Sequence, residues 1–286
     1  MKKVFVTGAG GQLGLSLKLD ECAVFKTGRK HLEGFEFDAL LDITDKRQVQ
    51  TVLSKFDPDV ILHLAAMTNV DGCELEPERA HEINVNGTAN LLESFEGKFI
   101  FLSTDYVFDG ANGPYSEADD VNPINTYGKT KLAAEEAVKA GASDWLILRT
   151  NVIWNIGGNY KASFADWLVE QLSQGKQVNI VTDQWNNPTQ TGDLGQVINE
   201  LLKQDGQGLY HYGSSEILNR YDFARLIANI YDLDEKLIIP ITTEELNQPA
   251  KRPLKSGLKT EKIEREFGIT PSVLRNDIEK LAARNS

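Results

Sequence analysis

Val4-Phe5-Val6-Thr7-Gly8-Ala9-Gly10-Gly11-Gln12-Leu13-Gly14 is the stretch whose reading decides the fold. Residues 4–7 are a short apolar run of strand character, and a helical pattern follows over about 12–19. Between them Gly8, Gly11 and Gly14 stand three apart. Gly8 permits a tight turn, Gly11 lets the backbone approach a pyrophosphate, and Gly14 lets the helix pack on its strand. The helix start at Gln12 and Leu13 then presents backbone N–H groups to phosphate. A merely flexible glycine turn is the competing account. Its place directly after the first strand favours a dinucleotide loop.

Outward from this loop the first half alternates strand and helix. Strands are expected at 23–27, 60–64, 99–103 and 145–149, and helices at 45–56, 77–95 and 127–139. Several strands lack polar alternation, as in a parallel sheet covered on both faces. The pattern predicts an α/β fold, a Rossmann-type doubly wound parallel sheet. After Thr150 it loosens. A Gly/Asn-rich segment at 155–159 precedes a helix at 163–174, a strand at 178–181 and a turn-rich stretch to Pro188. Further helices are expected at 193–203, 220–231, 260–267 and 271–283. Residues 1–150 form the dinucleotide-binding domain in this reading. Residues 151–286 form a smaller, mainly substrate-binding α/β lobe, with segments near 176–205 returning to the first domain. The ligand cleft should open at the carboxyl ends of the strands.

Composition narrows the function. A formal net charge of −12 argues against a nucleic-acid partner, whose binding rests on Lys and Arg. The two cysteines, Cys22 and Cys73, have no metal or redox spacing and read as buried thiols of a reducing compartment. The apolar stretch at 60–67 is far too short for a membrane span, and no secretory signal is legible, so a cytoplasmic location is expected. His31, His63, His81 and His211 show no ligand spacing, which predicts no catalytic metal. The stripe Trp167, Leu168, Leu172 reads as core. Acidic runs such as 74–78 read as solvated faces, with a cation at a subunit contact and a homodimer left open.

The end of the second strand selects the cofactor. It reads Thr27-Gly28-Arg29-Lys30, with no acidic residue from 22 to 32. An acid there would bond the ribose 2′-hydroxyl of NADH, whereas Arg29 suits the 2′-phosphate of NADPH, which is favoured. A solvated basic turn is the alternative. Asp42-Ile43 suits an adenine-edge contact, or Asp42 caps the following helix. Tyr127 and Lys131 lie four apart, on one face of a helix. An ammonium beside a phenol favours phenolate and should lower the tyrosine pKa. Ser103-Thr104-Asp105 ends the preceding strand, so these groups should converge on the cleft. Thr104 can bond a reacting oxygen, and Asp105 supplies a neighbouring carboxylate.

Together, Thr7-Gly8-x-x-Gly11-x-x-Gly14, Ser103-Thr104-Asp105-Tyr106-Val107-Phe108-Asp109-Gly110 and Tyr127-x-x-x-Lys131 resemble the extended short-chain dehydrogenase/reductases. Within them the likeness is to the dTDP-4-dehydrorhamnose reductase family. His63-Leu64-Ala65-Ala66, Asn84 before Gly87-Thr88, Leu148-Arg149-Thr150, Asp183-Gln184 with Pro188-Thr189, and Arg252-Pro253-x-x-Ser256-x-Leu258 extend it over nearly the whole chain. The resemblance implies a reductase that uses NADPH (or NADH) on the C4 carbonyl of a nucleotide-linked 4-keto-6-deoxyhexose. It implies Tyr127 as proton donor, Lys131 as holder of the nicotinamide ribose, Thr104 as orienting group and Asp105 as an assisting acid. Ala65 and Ala66 join the cofactor contacts, while Trp154, Asn187 and Arg252 join the substrate contacts, Arg252 facing the diphosphate. Two departures bear on the sugar. The family's Arg-Thr-Ser-Trp-Val-Tyr-Gly is here Arg149-Thr150-Asn151-Val152-Ile153-Trp154-Asn155, and the glycine between Asp183-Gln184 and Pro188 is missing. An epimerase or dehydratase with tightly bound NAD stays open, although Tyr106 after Asp105 favours a simple reductase. So does a non-catalytic binding subunit, since the regulatory subunit of methionine adenosyltransferase resembles this family.

Overall fold

The computed structural model describes residues 1–157 and 163–285. The chain begins with β1 (Lys2–Thr7), α1 (Gln12–Ser16), β2 (Cys22–Gly28), β3 (Ala39–Leu40), α2 (Lys46–Phe56) and β4 (Val60–His63). Next come α3 (Val70–Leu75), α4 (Pro77–His81), a π-turn (Glu82–Asn86), α5 (Gly87–Leu92), β5 (Lys98–Thr104), α6 (Thr126–Gly141) and β6 (Asp144–Thr150). The second half holds β7 (Ile153–Trp154), α7 (Phe164–Ser173), β8 (Val178–Val181), β9 (Trp185–Asn186), β10 (Thr189–Gln190), α8 (Thr191–Lys203) and β11 (Gly208–His211). It closes with β12 (Leu218–Asn219), α9 (Arg220–Ile230), β13 (Ile238–Ile241), α10 (Thr243–Leu246), α11 (Glu261–Phe267) and α12 (Leu274–Asn285).

Seven parallel strands form one sheet in the order β11-β6-β5-β4-β1-β2-β3. Strand periodicity of two divides their side chains between two buried faces. Val4, Val6, Leu62, Ile100 and Leu148 pack with Leu194, Ile198 and Leu201 of α8 and Ile263 of α11. Phe5, Ile61, Phe99 and Ile147 pack on the other side with Val49 and Leu53 of α2, Leu91 of α5 and Val138 of α6. Both faces are therefore apolar, which explains the unbroken hydrophobic strands. A separate cluster joins Trp154, Leu168, Phe223, Ile227, Ile238 and Ile278, from β7, α7, α9, α12 and the β8–β13 pair.

Several expectations are corrected. The helix expected at 77–95 runs from Pro77 to Leu92 as α4, a π-turn and α5, with Asn84 in the π-turn accepting from Met67 N. Helix α1 stops at Ser16, and α3, β11 and β13 had no legible pattern. Residues 178–181 do not rejoin the central sheet but pair with β13, whereas α8 packs on α1 and β11 joins β6. Trp167 is 42% exposed and lies outside the core that takes Leu168 and Leu172. Cys22 is half-buried rather than buried, and both cysteines are free. Of the Gly/Asn-rich segment, residues 158–159 lie outside the described residues. Among the described residues, no helix is long and apolar enough to cross a membrane.

Candidate active site

At the carboxyl ends of β1, β4, β5 and β6 the sheet opens into a cleft of about 870 Å³. Gly8, with φ +68°, takes the left-handed turn, and a Cβ there would sit 2.6 Å from the Ala65 nitrogen. At Gly14 a Cβ would press 2.5 Å from Ala9 Cα, so only glycine lets α1 dock on its loop. Gly11 lines the cleft, and a Cβ there would meet no protein atom within 4 Å except the Gly8 carbonyl oxygen at 3.3 Å. That is a cradle with room for a ligand's phosphates. No side chain caps α1, and Gln12, Leu13, Ala65 and Ala66 line the same wall. His63 is a brace here: its ring bonds Thr7 Oγ1 at 2.7 Å and Thr88 Oγ1 at 3.0 Å, and burial pushes its pKa down to about 3.

At one end of the cleft stand Arg29, Asp42 and Ile43. Asp42 is not the cap of α2, a role taken by Asp45, which accepts from the backbone N–H groups of Arg47 and Gln48. Instead Asp42 Oδ1 accepts from Thr44 N at 3.0 Å and Thr44 Oγ1 at 2.7 Å. Burial pushes its carboxyl up, yet these bonds and the charges of Arg29 and Arg79 hold it below the usual carboxylate range. Arg79, on α4, also lines the cleft and was not foreseen.

At the other end α6 begins hard against the turn after β5. Asn125 caps it by accepting from Gly128 N at 2.8 Å. A Cβ on Gly128 would lie 2.1 Å from the Tyr106 carbonyl oxygen, so glycine permits the approach that sets Tyr127 beside Thr104. The Thr104 hydroxyl donates to Asp105 Oδ1 at 3.0 Å and stands close enough to the Tyr127 phenol to draw its pKa down against the effect of burial. The Tyr106 ring meets Tyr127 edge-on, with centroids 5.6 Å apart. Ser256, far along the chain, donates to Asp105 Oδ2. Burial pushes the Asp105 carboxyl up to about 7 despite these bonds. Lys131 Nζ donates to the Leu102 carbonyl at 2.7 Å and lies 3.9 Å from the centre of the Phe101 ring. Burial lowers its pKa to about 7, with Glu135 pulling the other way. The expected lowering of the Tyr127 pKa is not found. Burial pushes the phenol above its ordinary value, because the Lys131 ammonium is directed into Leu102 and Phe101.

The profile of the RmlD substrate binding domain matches residues 1–286. The chain belongs to that family. It is 36% identical to the probable low-salt glycan biosynthesis reductase Agl14 of Haloferax volcanii, over 98% of this chain and 97% of that protein. It is 34% identical to the dTDP-4-dehydrorhamnose reductase of Aggregatibacter actinomycetemcomitans, with 99% of each covered. The crystal structure of dTDP-4-dehydrorhamnose reductase from Bacillus anthracis in complex with NADP superposes with a TM-score of 0.89, at 30% identity over 99% of each chain.

In this RmlD-family chain Thr104, Asp105, Tyr127 and Lys131 meet in one cleft with the whole expected cofactor set, Gly8, Gly11, Gln12, Leu13, Gly14, Arg29, Asp42, Ile43, Ala65 and Ala66. Three expected substrate contacts do not reach it. Trp154 is fully buried against Phe223 in the smaller layer, so the aromatic displaced from position 152 became core and not a sugar platform. Asn187 is a buried bracket: it bonds the Ser214 and Leu258 carbonyls, the Leu258 N–H and Asn151. Arg252 is spent on Asp71 at 2.8 Å and on the Ala250 carbonyl. The substrate half is lined instead by Tyr106, Asn151, Val152, Phe164 and Arg220. Arg220 carried no motif and could be found only by folding α9 against α7. Asn84 was visible in the sequence, but its role was not. It holds Met67 N and O and the Thr130 hydroxyl, tying the loop after β4 to α6.

Proposed function

We propose that the protein reduces the C4 keto group of a nucleotide-linked 4-keto-6-deoxyhexose with NADPH, dTDP-4-dehydrorhamnose to dTDP-rhamnose being the reaction. The convergence of Thr104, Tyr127 and Lys131 beside the glycine loop carries this reading, and the full-length likeness to dTDP-4-dehydrorhamnose reductases supports it. The loop around Gly11 and the Gln12–Leu13 helix start would hold the pyrophosphate, Arg29 the 2′-phosphate, and Lys131 the nicotinamide ribose. NADPH, when bound, supplies the hydride.

The protein's own groups handle the proton. Tyr127, kept neutral by burial, donates its phenolic proton to the oxygen that was the carbonyl oxygen. Thr104 orients that oxygen when its hydroxyl turns from Asp105 Oδ1 to the substrate. Lys131, its ammonium turned to the Leu102 carbonyl and the Phe101 ring, serves the nicotinamide ribose and not the phenol. Asp105 accepts from the Thr104 hydroxyl while no substrate is bound. A cytoplasmic location fits the free thiols of Cys22 and Cys73.

Loss of NADPH absorbance with purified protein and dTDP-4-dehydrorhamnose, with NADH in parallel, tests the reading. Tyr127→Phe should lower turnover by about a hundredfold or more while leaving NADP⁺ affinity unchanged. Full turnover in the Tyr127→Phe variant would remove the proton-donor role. A wild-type protein that binds NADP⁺ but oxidises no NADPH would favour the binding-subunit alternative.

A further inference from the structure

Arg220 opens α9 and lines the substrate half of the cleft with its guanidinium carbon 4.7 Å from the centre of the Phe164 ring. It is half-buried. No side-chain hydrogen bond and no carboxylate within 4 Å engages it among the described residues, and residues 158–162 contain no Asp or Glu. A partly desolvated cation without a counter-ion is costly unless a ligand supplies one. Neighbouring acids do not fill that need. Asp105 is felt by Arg220 only from beyond ion-pair distance and is bonded to Ser256 and Thr104, and Asp71 is taken by Arg252. Arg220 and Arg252 lie within reach of each other's charge, with Tyr106 feeling both. The pair therefore presents one unneutralised positive charge to the cleft in a chain of net charge −12.

We propose that Arg220 is the receptor for the diphosphate of the nucleotide sugar, held flat by Phe164, and that Arg252 acts only as its Asp71-paired neighbour. This assignment rests on the nucleotide-sugar reading above and adds the residue that recognises the charged part of the substrate. The planar guanidinium offers a donor fork to phosphate oxygens, while its face stays on the ring. Val152 supplies an apolar wall in place of an aromatic one, so charge recognition carries more of the binding.

Calorimetric titration of the NADP⁺-saturated protein with dTDP, UDP, GDP and thymidine separates the possibilities. Arg220→Gln should weaken nucleoside diphosphate binding by about thirtyfold, the loss of a charged hydrogen-bonding partner. Thymidine affinity and NADP⁺ affinity should not move, and the melting temperature of the ligand-free protein should hold or rise as the uncompensated charge is removed. Arg220→Lys should recover part of the binding loss by restoring charge without the fork. Equal dTDP affinity in wild type and Arg220→Gln overturns the assignment, including the case in which turnover alone is lost, which would put the anion on the sugar. A wild type that holds NADP⁺ but binds none of the three diphosphates overturns the nucleotide-sugar reading itself.

Discussion

Asp105 is 1% exposed and accepts from Thr104 and Ser256 directly beneath the reacting groups. Its folded-state pKa of about 7 lies well above the value of ~3.9 for an unfolded chain. Stability from the neutral carboxyl is therefore fully present below about pH 4 and is lost as pH rises toward 7. Asp105→Asn removes that loss. The melting temperature of Asp105→Asn relative to wild type should climb between pH 4 and 8, and a difference that stays flat with pH would contradict the burial argument. Val152 shows a different kind of residue-scale strain. It holds φ +35° at the cleft wall, a left-handed conformation unfavourable for a β-branched side chain. Asn151 on one side is pinned by Asn187, and the Val152 carbonyl accepts from Thr189 N. The tertiary frame imposes this conformation, and no local pattern announces it.

Helix α6 works as an element because its inner face is wired into the sheet. One turn beyond Lys131, fully buried Glu135 accepts from Arg149 Nε at 2.9 Å and Nη2 at 2.7 Å, and from the Ser103 hydroxyl. The Arg149 guanidinium also lies 5.2 Å from the centre of the Phe108 ring. His211 packs against the same pair, and burial, with the Arg149 charge, pushes its pKa down to about 3. Glu135→Gln would leave a buried guanidinium without its counter-ion, at a cost of about 3–5 kcal/mol. Replacing both residues, as Glu135→Leu with Arg149→Leu, should destabilise less than the sum of the single changes. Denaturant melts decide this, and a loss under about 1 kcal/mol for Glu135→Gln would mean that water or a neighbour repairs the pair. Helix α6 itself was legible from the Tyr127–Lys131 face, without its Asn125 cap. Its partner was not, because Glu135 and Arg149 become neighbours only when β6 lies beside β5.

On the scale of the whole molecule the cleft is bounded by both layers. Gly11, Thr104 and Tyr127 come from the sheet side, and Phe164 and Arg220 from the α7–α9 cluster. A ligand that binds only the folded cleft stabilises it by mass action, about 2.7 kcal/mol at a hundred times its Kd. NADP⁺ at that excess should therefore raise the calorimetric transition of the entire chain as one peak. A second peak that ignores NADP⁺ would show that the α7, α9 and α12 cluster unfolds by itself.

Local pattern was enough for the glycine loop, the parallel sheet, the Tyr127–Lys131 face and the Thr104–Asp105 strand end. Those features depend on neighbours within a strand, a turn or a helix, where periodicity and glycine sterics act directly. The substrate half depended on tertiary structure. Trp154 became core because β7 runs into the α7–α9 cluster, and Asn187 became a bracket because Leu258 folds back onto it. Arg252, near the end of the chain, found Asp71 in its first third, which left Arg220 beside Phe164 as a cation of the cleft without an ion-pair partner among the described residues. Which of two similar side chains is neutralised and which is left for a ligand is a question of distance in space, and spacing along the chain does not encode it.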